Sequence, residues 1–423
     1  MKLFERSINV LESFKKTVEN YEFLLFARRR AEDFSRNRKM NFSDIMYCML
    51  NFFRKEAQIE VDEYLINIKR TSETMSEQAF LKARQKILPV AFTMLNDVLV
   101  NDVYANPEYF YKYKGYRLLA IDGTILTLNN SKSMRDAFGG IINQASYKAA
   151  AQASCLYDVE NGIIVHSIIE PYKANEKKLA VDHIKKLEML GSHNDLILFD
   201  RGYPSSELIE TLSAKNLKFL MRVSSSFLKP ISDFKSEDGK VKVRINKQDI
   251  YIRVIQVVLE TGEIEKLITN IFDESLTAND FKELYYKRWA IETRYDFLKN
   301  KLEIENFTGD SKLIIEQDFY ASIYLANLCE VTKACSDEMI ENENSIKNLK
   351  LEYKTNQKRL IAKLKNNLIL IVAEDNLNKK QRMLKNLIKE IHKKPVAIVP
   401  GRRFERARTY LRDKFTMNKK RAL

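Results

Sequence analysis

The stretch Tyr285 to Lys299, Tyr-Tyr-Lys-Arg-Trp-Ala-Ile-Glu-Thr-Arg-Tyr-Asp-Phe-Leu-Lys, constrains this chain more than any other. Tyr285, Arg288, Glu292 and Lys299 stand at offsets of three, seven and fourteen. On an α-helix, at about 100° per residue, those four side chains fall within roughly 60° of arc. Beside them runs a second stripe, Leu284, Ile291, Tyr295, Leu298 and Leu302, with the spacing of a face packed on a core. Thr277 and Asp280 have capping-box spacing just ahead of the first apolar turn, which predicts the helix start. One face therefore packs, and its neighbour carries a carboxylate flanked by two cations and a phenol. Alone, Arg288 and Glu292 are an i,i+4 pair worth a few tenths of a kcal/mol on a surface. Chemistry requires partners from elsewhere in the chain.

Two such partners lie upstream. Arg117-Leu-Leu-Ala-Ile is a short apolar run ending in Asp122-Gly123-Thr124, and Leu196-Ile-Leu-Phe runs into Asp200-Arg201-Gly202. Each reads as a buried strand ending in an aspartate, and open sheets place their chemistry at the carboxyl ends of strands. Between them, Ala149 to Leu156 and Ile163 to Ile169 read as strands, and about Asn175 to Leu190 as a helix. A short helix is expected from Ser205 and a fifth strand at Phe219-Leu-Met-Arg-Val. The pattern then changes. Lys242-Val-Arg-Ile and Ile250-Tyr-Ile-Arg-Val-Ile-Gln-Val-Val alternate, with Thr261-Gly262 at a hairpin turn, so a small β insertion is expected over 227–273. The glutamate helix resumes the core over 274–340, completing what 111–226 begins.

The flanks differ in kind. Residues 1–110 read as a helical, DNA-binding region. Asn41-Phe-Ser-Asp is expected to open a helix through Ile45, Leu50 and Phe53. Thr74 and Glu77 are expected to cap another, which ends before Pro89 and turns Lys82, Arg84, Gln85 and Lys86 toward DNA. Residues 341–423 form a basic region. From Asn376 onward bases outnumber acids by about five to one, with Arg402, Arg403, Arg406, Arg408, Lys419 and Arg421 prominent. The whole chain carries 71 Lys and Arg against 57 Asp and Glu, a net +14, which calls for a polyanionic partner. An anionic membrane is the weaker choice, since no apolar run reaches spanning length and the start has no signal-peptide core. Cys48, Cys155, Cys329 and Cys335 lack zinc-type spacing and suggest reduced thiols in a cytoplasmic protein.

Two aspartates and a glutamate converging at a sheet edge would bind two divalent cations, Mg²⁺ or Mn²⁺, with Asp122 bridging and Asp200 and Glu292 each holding one. Cations on the Glu292 face suit a phosphate backbone, with Lys299 about 10 Å along the helix. Taken together, Asp122-Gly123-Thr124, Asp200-Arg201-Gly202 and Tyr285-(2)-Arg288-(3)-Glu292-(6)-Lys299 resemble the motifs of bacterial D-D-E transposases, of the insertion-sequence-four type with its Y-R-E-K signature. The resemblance covers about residues 115 to 335. Arg38-Lys-Met-Asn-Phe-Ser-Asp and Gln78-Ala-Phe-Leu-Lys-Ala-Arg-Gln-Lys in the helical start are also similar to that family.

The resemblance implies an α/β, ribonuclease-H-like core with a β insertion before the glutamate helix. It implies a catalytic triad of Asp122, Asp200 and Glu292 on Mg²⁺, and transposon-end phosphates held by Tyr285, Arg288 and Lys299. Trp289 and the insertion would steady a displaced or flipped base if a hairpin forms. The enzyme would act as a homodimer on two paired double-stranded transposon ends, the terminal inverted repeats, and on target DNA, by cut-and-paste transposition. Two other readings stay open: a metal nuclease of the same fold without strand transfer, and a non-catalytic DNA-binding descendant.

Overall fold

The computed structural model describes residues 2–36, 38–51, 57–142, 147–191, 193–258, 262–347 and 350–399. Among them, nine strands make one mixed sheet: β1 (Arg117–Thr127), β2 (Gly140–Ile142), β3 (Tyr147–Asp158), β4 (Ile163–Pro171), β5 (Asp195–Phe199), β6 (Lys218–Val223), β7 (Asp238–Ile245), β8 (Gln248–Val258) and β9 (Ile264–Thr269). The order is β2-β3-β1-β5-β6-β9-β8-β7, with β4 also paired to β3. β3 and β4 are antiparallel neighbours, whereas β5 and β6 run parallel to β1 and are reached through the helices Glu176–Leu190 and Ser206–Ala214. Three antiparallel strands followed by two parallel ones, in the order β4-β3-β1-β5-β6, is the ribonuclease-H-like arrangement.

The centre of the sheet is apolar for a simple reason. Leu118 to Ile121 and Leu196 to Phe199 are wholly buried, as in parallel strands covered on both faces. The 36-residue helix Lys312–Lys347 and the helix Val90–Tyr104 pack against β4. Where β4 slips register against β3, the Ile164 backbone finds its partners in Asn327. The Asn327 side chain accepts from the Ile164 N–H at 2.8 Å and donates to its carbonyl at 2.8 Å and to Asn96 at 2.7 Å. A buried amide thus satisfies backbone groups that the ladder leaves open.

The expected β insertion exists as strands but does not stand apart. β9 pairs antiparallel with β6, and β8 and β7 follow, so the segment extends the central sheet. Alternation in the sequence marked the strands and could not name their partner. Gly262 has φ +82° beside the β8–β9 turn, while Thr261 lies outside the described residues. β7 and β8 join through Asn246 and Lys247, both at positive φ, as a two-residue hairpin requires.

The start of the chain is helical. Asn41 and Asp44 form a reciprocal capping box ahead of Phe42–Met49; Phe53 lies outside the described residues. The next expectation needs correcting. Ser76, not Thr74, caps Glu77–Arg84, and that helix stops at Arg84. Arg84 does not face solvent. Its Nε donates to Gln317 at 2.9 Å and its Nη2 to Asp318 at 2.6 Å, which ties the helical start to the core, while Lys82, Gln85 and Lys86 stay exposed. A helix-face argument cannot separate a solvated arginine from one that reaches a buried carboxylate. Toward the end, Gln357–Ala373 and Leu377–His392 are helical; Arg402, Arg403, Arg406, Arg408, Lys419 and Arg421 lie outside the described residues. All four cysteines are buried, and among the described residues none is joined in a disulfide. Among the described residues no helix is long and apolar enough to cross a membrane.

Candidate active site

Strand register accounts for the first two carboxylates. The parallel ladder between β1 and β5 ends at the pair Ile121 and Phe199. The next residue on each strand is the aspartate, so Asp122 and Asp200 are neighbours on one face, about 5 Å apart in the backbone. One expectation changes: β1 does not end at Asp122. It continues to Thr127, paired among the described residues only with β3, and Asp122 marks where its β5 neighbour leaves. A side chain at Gly123 would displace the ends of two neighbouring side chains. A Cβ would lie 2.5 Å from Gln152 Nε2 and 2.8 Å from Glu176 Oε1.

Glu292 arrives on the helix Ala290–Asn300, which crosses β1. The capping box of Thr277 and Asp280 opens the preceding helix, Ala278–Tyr286, as its spacing predicts. Leu284, Ile291, Tyr295, Leu298 and Leu302 are all buried, so the packing stripe is as expected. The helix is not continuous, however: Lys287–Trp289 is a tight 3₁₀ turn. Tyr285, on the last turn of the preceding helix, and Arg288, in the 3₁₀ turn, both pack inward. Both were expected at the DNA-facing surface, and both are buried instead.

Arg288 stands between the carboxylates. Its side chain is 3 % exposed, with Nη2 3.1 Å from Glu292 Oε1 and Nη1 3.6 Å from Asp122 Oδ2. The Tyr285 hydroxyl donates to Asp200 Oδ1 at 3.0 Å. Lys299 donates to the Ile125 carbonyl at 2.6 Å and lies 3.9 Å from Glu305, at the rim. Trp289 is exposed on the 3₁₀ turn at the other end of the helix. The structure also brings in residues that motif reading missed. Arg222 on β6 lies 2.9 Å from Asp200 Oδ1 and pairs in turn with Glu265 on β9. Tyr295 donates to the Asp122 carbonyl at 2.7 Å, and Tyr203 lies buried after Gly202. The signal for Arg222 was present: one arginine inside the apolar run Phe219-Leu-Met-Arg-Val needs a counter-charge.

The two aspartates are tuned apart. Burial pushes Asp122 up to about 6; the Gly123 N–H and Arg288 pull it down, and the charges of Glu292 and Asp200 push it up again. Burial would raise Asp200 too, but the Arg201 N–H, Arg288, Arg222 and the Tyr285 hydroxyl together hold it below the usual carboxylate range. Like charges that raise one another are relieved by a cation, and carboxylate oxygens suit a hard divalent ion, so this donor set fits one. Among the described residues no three acidic, imidazole or thiol groups are yet close enough to ligate a single ion, and the Arg288 guanidinium lies between two of the carboxylates.

A melting experiment follows from the raised Asp122. Without metal, the folded chain keeps a proton on Asp122 that the unfolded chain releases, so stability falls as pH rises from about 4 to about 6 and stays lowered above. Asp122→Asn removes that penalty and can still accept from the Gly123 N–H. The variant should match the parent near pH 4 and exceed it at pH 7, by about 3 kcal/mol. Thermal melting of both across that range is the check; a constant offset would refute it.

Comparison with known proteins bears on what such a site does. Residues 113–328 match the family model described as the transposase DDE domain, about half of the chain. A Synechocystis protein named as a candidate transposase for the insertion sequence element IS4SA is 21 % identical over 274 residues, covering 63 % of this chain and 75 % of that one. Among solved structures, the piggyBac transposase synaptic complex with hairpin DNA aligns at TM-score 0.44 and 16 % identity, covering 95 % of this chain and 86 % of that one. The fold rests on the strand order above. On the family match over residues 113–328, the chain belongs to the DDE-domain transposases, a family that cleaves DNA and transfers strands using divalent metal ions.

Proposed function

We propose that Asp122, Asp200 and Glu292 are the catalytic triad of a cut-and-paste transposase that holds two Mg²⁺ or Mn²⁺ ions. The observation that carries this reading is the meeting of the three carboxylates around Arg288 at one end of the sheet. When bound, two such ions supply a clamp for the attacking and leaving oxygens of an in-line phosphoryl displacement. Asp122, Asp200 and Glu292 would be the residues that hold them. Water attacks the phosphorus at the element's end, and the 3′ oxygen leaves as a free hydroxyl. That hydroxyl then attacks a target phosphate, so one phosphodiester replaces another.

The rest of the chain positions DNA. Lys299 and Trp289 lie at the rim, where a terminal inverted repeat can reach them. Tyr285 and Arg288 turn to the end's phosphates once they are no longer occupied by the carboxylates. The helical residues 1–110 and the basic residues 341–423 grip the flanking duplex, and a net +14 supports that use. Two copies acting on paired ends complete the assembly, in the cytoplasm with the chromosome.

Purified protein, a duplex carrying the element's end, a target plasmid and Mg²⁺ test this directly. Covalently joined donor–target product is the expected result. Cutting without joining favours a nuclease, and binding without cutting favours a non-catalytic descendant.

A further inference from the structure

Tyr203 follows Gly202 in the turn that ends β5, where its N–H donates to the Asp200 carbonyl at 3.1 Å. The residue is 2 % exposed, and its ring packs against Phe199 with centroids 5.8 Å apart. A phenylalanine would fill that seat equally well, so packing does not account for the hydroxyl. That hydroxyl is buried and has no hydrogen-bond partner among the described residues, a state that costs free energy and rarely persists without use. Phe199 is the residue paired with Ile121, so the phenol sits where Asp122 and Asp200 leave their ladder. After burial, the charges that act on it most are those of Asp122, Glu176 and Asp200.

Among the described residues, one carboxylate oxygen in that neighbourhood lacks a close donor. Asp122 Oδ1 accepts from the Gly123 N–H at 2.9 Å, whereas Oδ2 has Arg288 at 3.6 Å, too far for a good hydrogen bond. Asp200 Oδ1, by contrast, has Tyr285 and Arg222. We propose that the Tyr203 hydroxyl is a positioning donor for Asp122, fixing its carboxylate when Arg288 turns from it toward DNA. This rests on the triad reading above. A carboxylate that holds a metal is itself held by hydrogen bonds, and loss of such a partner lowers metal affinity or rate by about 10–100-fold.

The test compares full-length Tyr203→Phe with the parent and with Asp122→Ala. Melting is followed without metal and across a Mn²⁺ titration, alongside end-DNA binding and single-turnover cleavage. Tyr203→Phe should melt at or above the parent without metal and bind the DNA end equally. Its Mn²⁺ midpoint should rise, or its cleavage rate fall, by about 10–100-fold. Parent-like cleavage and an unchanged Mn²⁺ midpoint, with Asp122→Ala inactive, would overturn the role of Tyr203. A metal-free melting point far below the parent would also overturn it, by making the hydroxyl structural. If Asp122→Ala itself cuts normally, the triad is what fails.

Discussion

Asp122→Ala, Asp200→Ala and Glu292→Ala should each cut transposon-end DNA at least about a thousandfold more slowly than the parent, a loss of about 4 kcal/mol in transition-state stabilisation. Binding to the same DNA should change little, because phosphate contacts are spread over a basic surface. The three losses should also not add, since removing one member disables the same unit. Asp200→Ala carries a side effect that the others do not. It strips Arg222 and the Tyr285 hydroxyl of an acceptor, so its melting point should fall, whereas Asp122→Ala relieves a strained carboxylate and should not. A gel-shift beside a cleavage assay decides the matter. Full cutting by any one variant removes that residue from the triad.

Arg288→Met should unfold far more easily than an exposed-charge substitution would. The guanidinium is 3 % exposed and is the shared counter-charge of Asp122 and Glu292. Its removal leaves three carboxylates repelling one another, and breaking a buried ion pair of this kind costs about 3–5 kcal/mol. Solvent reaches Glu292, which is 38 % exposed, so the lower end of that range, about 3 kcal/mol, is expected. Mn²⁺ should restore much of the loss, and should raise the variant's melting temperature more than the parent's. Differential scanning of both proteins, with and without Mn²⁺, measures this. Equal melting and equal metal response would mean that Arg288 does not neutralise the site. Cleavage by the variant should stay low even when metal has restored the fold, because the DNA end loses a cation.

Particular residues show where sequence reading reached and where it stopped. The runs Leu118 to Ile121 and Leu196 to Phe199 were legible because strands buried on both faces read as continuous apolar segments. Glu292 was legible because its neighbours repeat with helical period. The burial of Arg288 was not, because its place on the helix borders the packed stripe and a helical wheel does not say how far the covered arc extends. Arg84 was misread for a related reason: its partners Gln317 and Asp318 lie more than two hundred residues away. The alternating strands β7 to β9 were visible, yet their docking on β6 depends on an edge that only the assembled sheet defines.

That docking has a mechanical consequence. Glu265 of β9 grips Arg222 of β6, which grips Asp200, so a hydrogen-bonded line runs from the outer strands to the reaction centre. The segment over 227–273 is therefore a buttress and not a cassette. Deleting it would expose the flank of β6 and release the clamp on Asp200 in one cut. Changes of length are better borne at the tip between β7 and β8, where among the described residues no further strand pairs and the tie is a single side-chain hydrogen bond from Asn246 to Glu210. Related enzymes could lengthen or decorate that tip while the roots stay fixed, much as a pier can carry any superstructure that leaves its footing alone.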